Sequence, residues 1–108
     1  MRRGTTTTII MNVAGDDLSG DNMYITVRQG ARLIIKGTDE ITRTTGEDPD
    51  TCILSTTYTQ EETLSLKAGQ EASIQLRIIE ADGNVKASRI ISLGLVDDVL
   101  QEGVLSYA

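Results

Sequence analysis

Residues able to do chemistry are sparse in this chain of 108, and what is missing decides more than what is present. There is no histidine, so neither a Ser-His-Asp nor a Cys-His arrangement can form. Zinc sites built from Cys and His are excluded for the same reason. Cys52, the single cysteine, stands beside Ile53 and Leu54 and reads as a small buried hydrophobe rather than a nucleophile. No phosphate-cradling loop of the GxGxxG or GxxxxGK kind occurs. Two acidic runs do offer oxygen ligands. Asp16-Asp17-Leu18-Ser19-Gly20-Asp21 has several carboxylates and a glycine, but not the ligand spacing or distant Glu of a calcium hand. It reads as a solvated turn, as does Glu47-Asp48-Pro49-Asp50. A glycosidase needs two acids about 5–10 Å apart in a cleft, one with a raised pKa. Here the acids gather in turns, where water keeps them ionised. The expectation is no catalytic residue, no cofactor and no metal.

Charge narrows the partners further. The formal net charge is −6, and the basic residues are dispersed rather than clustered, which argues against a nucleic-acid backbone as ligand. Two arginines stand out. Arg77 falls on the polar face of its strand, whereas Arg89 interrupts an apolar face, opposite Leu76 in the expected register. Either the Arg89 stem covers the edge of the core while its head reaches water, or it pairs with an acid across a subunit interface. The second reading makes Arg89 a candidate assembly contact.

The elements that must position these residues are strands. The stretch 71–95 is the longest alternating segment and folds back at Ala81-Asp82-Gly83-Asn84. With Asp82 and Gly83 as a two-residue turn, Glu80 faces Val85, Ile78 faces Ala87 and Ile74 faces Ile91. Residues 6–13 are β-branched and apolar enough for a first strand, after a loose tail over 1–5. Residues 23–29 alternate, with Met23, Ile25 and Val27 on one face, and Gly30-Ala31 turns them into a hairpin with 32–36. A short strand over 40–44 and a longer one over 51–58 follow. Thr59 and Glu62 hold capping-box positions for a single helical turn, because Leu64 and Leu66 are spaced by two rather than three or four. Val104 and Leu105 are expected to tuck against the core. This makes six to seven short strands with turn signals every 8–12 residues, an all-β, antiparallel sandwich in a single domain over 1–108. With no Phe and no Trp, the interior is aliphatic, which suits a thin two-layer sandwich better than a ligand cavity.

No apolar run reaches the roughly 7–15 residues of a secretory signal or the roughly 20 of a membrane span, so the chain is expected in a cytoplasm, with no membrane partner. Several stretches resemble small proteins of tailed phages and prophages of Gram-positive bacteria. They are Tyr24-Ile25-Thr26-Val27-Arg28-Gln29-Gly30, Thr59-Gln60-Glu61-Glu62-Thr63-Leu64, Ile74-Gln75-Leu76-Arg77 leading to Ala81-Asp82-Gly83, and Val99-Leu100-Gln101-Glu102-Gly103-Val104-Leu105. The pattern is similar to the amino-terminal domain of phage baseplate upper proteins, and it covers most of residues 20–105. The resemblance implies an immunoglobulin-like sandwich that docks onto a tail, with Leu64 plugging its core. It also implies a non-enzymatic virion component of tail, baseplate or head surface, assembled in the host cytoplasm with other virion proteins or with copies of itself. Edge strands are the expected means, with Thr6 and Thr8 on the first strand and Ile34 and Lys36 on the third as candidates. The alternative is a carbohydrate- or receptor-binding module, whose aromatic platform only Tyr24, Tyr58 and Tyr107 can supply.

Overall fold

The computed structural model describes residues 1–14, 22–45 and 51–106. The acidic run from Asp16 to Asp21, the Glu47–Asp50 run and Tyr107 lie outside them. Among the described residues there are eight strands: β1 Thr7–Ala14, β2 Asn22–Gln29, β3 Arg32–Lys36, β4 Ile41–Thr45, β5 Thr51–Tyr58, β6 Glu71–Ile79, β7 Val85–Ala87 and β8 Ile91–Leu95. A five-residue helix, α1 Gln60–Leu64, joins β5 to β6, and a 3-10 turn at Thr38–Glu40 precedes β4. The chain is an all-β antiparallel sandwich. One sheet runs β1-β5-β4, and the other runs β3-β2-β6, with both β7 and β8 pairing with the far edge of β6.

The alternation read from the sequence places the core. Met23, Ile25 and Val27 of β2 face inward, as do Ile74, Leu76 and Ile78 of β6 and Cys52, Leu54 and Tyr58 of β5. Both sheets feed this one cluster, which is aliphatic except for Cys52 and the ring of Tyr58. The β2–β3 hairpin closes on Gly30-Ala31 with Gly30 at φ +58, a left-handed value that glycine adopts without steric cost. That two-residue turn pairs Val27 with Ile34 and Ile25 with Lys36.

The second hairpin differs from expectation by one residue. Gly83 N–H donates to the Glu80 carbonyl at 2.9 Å, and Glu80 N–H donates to the Asn84 carbonyl at 2.8 Å. The loop is therefore the three residues Ala81, Asp82 and Gly83, with Gly83 at φ +91 completing the turn. Asp82 Oδ1 accepts from Asn84 N–H at 2.9 Å and helps select this form. The pairs become Ile79 with Val85, Ile78 with Lys86 and Arg77 with Ala87. A slip of one residue turns every side chain to the other face, so Val85 and Ala87 leave the core side. The ladder then breaks at 88–90 and resumes with Ile74 opposite Ile91, as the sequence predicts. This break is why the return arm counts as two strands rather than one.

Three further expectations are corrected. The first residues are not a loose tail: Arg2 bridges Asp97, and Arg3 bonds the carbonyls of Leu64 and Leu66 and the carboxylates of Asp98 and Glu102. The Arg3 guanidinium holds the Asp98 carboxyl below its usual range. Leu64 is only half-buried, and Leu66 and Thr63 take the buried places beneath α1. Val104 and Leu105 are exposed, while Val96 is the residue of the final segment that enters the core.

Candidate docking surfaces

The expected assembly residues sit in different settings. β1, β3 and β4 are all outermost strands, and Thr8 lies in β1 with Thr6 just before it. Thr6 and Thr8 are exposed, and the Thr8 hydroxyl meets that of Thr57 at 3.2 Å. Ile34 and Lys36 belong to an edge strand, yet their side chains turn inward and are buried, so only the backbone of β3 is offered to a partner there. Arg89 is exposed in the segment between β7 and β8. It does not oppose Leu76: Ser88 occupies that place, donating its N–H to the Leu76 carbonyl at 2.8 Å and accepting from Leu76 N–H at its Oγ at 3.0 Å. The one-residue slip at the turn moved it.

Lys36 anchors a polar cluster that sequence reasoning missed. Its Nζ lies 2.7 Å from Glu62 Oε2 and 3.5 Å from Glu40 Oε2, and 5.2 Å above the Tyr58 ring. Burial alone would depress the ammonium, but the bond to Glu62, then the charges of Glu62 and Glu40, outweigh it and hold the pKa above its ordinary value. Burial likewise opposes ionisation of Glu62, and Lys36 with the Thr59 N–H overcomes it, so this carboxyl sits lower than usual. Glu62 also completes the expected capping box: Thr59 N–H donates to its Oε1 at 2.9 Å, and its own N–H donates to Thr59 Oγ1 at 3.2 Å. Burial raises the Tyr58 hydroxyl, which accepts from Thr56 at 3.1 Å. The cluster ties α1 to β3 through the Lys36–Glu62 bond. Gln29 performs a similar service for the loop after α1. It is buried, donates to the carbonyls of Lys67 and Gln70, and accepts from Lys67 N–H at 2.6 Å.

The surface with an unexplained composition is the outer face of the five-stranded sheet. Leu33 and Ile35 of β3 are 48% and 55% exposed, Val85 of β7 52%, and Ile90 56%. Tyr24 stands among them, opposite Arg77 in the ladder, and Arg28 stands opposite Leu33. These side chains line two open hollows of about 240 and 420 Å³. No acid lines either hollow, and among the described residues neither Arg28 nor Arg77 forms a salt bridge. These exposed apolar side chains lie together on one face rather than scattered singly. The patch was readable in principle, because pairing Val27 with Ile34 across the Gly30 turn sends Leu33 and Ile35 outward.

Among the described residues, no group of three or more His, Cys, Asp or Glu is placed to hold a metal ion, and Cys52 is buried. No helix is long and apolar enough to cross a membrane. Of the tyrosines that a sugar platform would use, Tyr58 is fully buried and Tyr24 is exposed.

Comparison with known proteins adds little. No family model matches the chain, and no curated protein matches it. Among solved structures, murine CRIg aligns over 92% of this chain and 89% of its own length, at 13% identity and a TM-score of 0.33. A likeness at that level carries no argument about function.

Proposed function

We propose that this chain is a non-enzymatic assembly protein of a phage or prophage virion, docking a neighbouring virion protein through the outer face of its five-stranded sheet. The observation that carries the docking role is that face itself: Leu33, Ile35, Val85 and Ile90 uncovered around Tyr24, Arg28 and Arg77. Tyrosine and arginine among aliphatic side chains are the composition of binding hot spots. Two arginines without an acid beside them among the described residues, on a chain of net charge −6, favour a partner surface that brings carboxylates to an apolar patch. The virion context rests on the resemblance of the four sequence stretches to phage tail and baseplate proteins. Assembly in the host cytoplasm and residence in the particle follow from that context.

The test is co-expression with phage tail and head proteins encoded in the same genome, followed by calorimetric titration of each purified pair. One neighbour should bind, and Ile35→Asp and Arg77→Glu should each weaken it about tenfold or more, a change equivalent to roughly 1.4 kcal/mol. Failure of every neighbour to bind, or binding indifferent to both substitutions, overturns the proposal.

A further inference from the structure

We infer that a second copy of this chain pairs with the edge of β1 that no described strand covers, across a two-fold axis, closing a cleft that the described residues of each copy leave open. This site is distinct from the outer face discussed above, and it stands or falls independently of it. Where β1 ends one sheet and β8 borders the other, the sandwich is not sealed. A cleft of about 460 Å³ enters there between Ile9, Met11 and Val13 on one side and Ile74, Ile91 and Leu93 on the other. The inward residues of β1 are accordingly only partly buried, although they pack against the core.

The choice of a second copy comes from charge. Natural edge strands are protected by lysine, by proline, by bulges or by shortness. β4 carries Arg43, β3 carries Arg32 and Lys36, and β7 carries Lys86 and spans three residues. β1 has none of these protections. It is eight residues long, uncharged, without proline, and paired to β5 without a break from Thr7–Tyr58 to Ala14–Thr51. β8, across the cleft, is also uncharged. In a chain with 24% charged residues, the two strands that border the opening hold none. A two-fold interface brings each surface against itself, so it needs a surface without unbalanced charge. The cleft edge meets that condition. The outer face does not, because it would set Arg28 and Arg77 against their own copies.

Antiparallel pairing of β1 with β1 satisfies the two-fold by construction. Registers that set odd-numbered residues opposite odd-numbered ones keep Ile9, Met11 and Val13 of both copies on the cleft side. Of these, the register inferred has Ile10 on the two-fold axis, which sets Ile10, 66% exposed, against its own copy. The two three-stranded sheets become one six-stranded sheet, and the two clefts open onto each other.

Sedimentation equilibrium of the purified chain tests this. The expected mass is twice the 11.7 kDa of one chain. Ile10→Lys sets like charges across the axis and should raise the dissociation constant about tenfold or more, with the circular dichroism spectrum unchanged. Ile35→Lys, on the outer face, should leave the dimer intact. Ile10→Cys under mild oxidation should give a disulfide-linked dimer, a readout that holds even if the lysine variant fails to fold. A monomer at all concentrations, a dimer indifferent to Ile10→Lys, a dimer lost equally in Ile35→Lys, or an Ile10→Cys chain that does not cross-link would overturn the inference.

Discussion

The two faces of the five-stranded sheet are made from the same strands and from similar residues, yet one is buried and the other is exposed. The inner face carries Met23, Ile25, Val27, Ile74, Leu76 and Ile78, all buried against β5. The outer face carries Leu33, Ile35, Val85 and Ile90, with about half of each left in water. Side-chain chemistry does not separate isoleucine 25 from isoleucine 35; strand parity does. Apolar area removed from water on folding stabilises the fold, whereas apolar area left exposed is available only to a partner. Substitutions of the same kind on the two faces should therefore affect different measurements.

The largest effect is expected inside. Ile25→Ala leaves a cavity in a core whose one aromatic ring among the described residues, Tyr58, is already fully buried, and should cost about 2–5 kcal/mol in a denaturant titration. A cost below 1 kcal/mol would mean that the inner face is not the core. Next is Glu62→Ala, which leaves the buried Lys36 ammonium with Glu40 at 3.5 Å in place of its 2.7 Å partner and removes half of the α1 capping box; about 2–3 kcal/mol is expected at neutral pH. Its pH dependence has a definite sign. The folded Glu62 carboxyl is lowered, so its contribution is full above the ordinary glutamate value of about 4.3 and disappears as pH falls through the depressed one. The Lys36 ammonium is raised, so its contribution is full below about 10.4 and is lost as pH rises through the elevated value. The gap between wild type and Glu62→Ala should be widest between these limits and should narrow in acid. Gln29→Ala is smaller, about 1–3 kcal/mol, because Lys67 N–H loses its acceptor and two carbonyls lose their donor. Faster amide exchange at residues 65–70 would accompany it.

How much of this was legible in the sequence depends on how locally each feature is determined. β2, β3 and β5 follow from alternation and from Gly30, and the α1 cap follows from Thr59 and Glu62, because each is decided within a few residues. The second hairpin was misread because Asp-Gly also suits a three-residue loop with Gly83 in the left-handed region, and the Asp82–Asn84 bond that favours it is not a periodic signal. That single residue carried Arg89 out of the ladder and Val85 onto the outer face. The Lys36–Glu62 pair joins positions 26 residues apart, and the Arg3–Glu102 pair joins positions 99 apart. Neither separation is visible without the fold. In β3, Leu33, Ile34 and Ile35 are all apolar, so alternation within the strand cannot say which side faces in. Only the pairing with β2 can.

The central claim is that the outer apolar face serves docking and not folding, and Ile35→Ser tests it most directly when melting and partner binding are measured on the same preparation. The account predicts a stability change within about 0.5 kcal/mol, as for an ordinary surface substitution, together with a loss of about tenfold or more in affinity for the bound virion protein. A melting temperature lowered as far as that of Ile25→Ala, or an affinity that does not move, would contradict it.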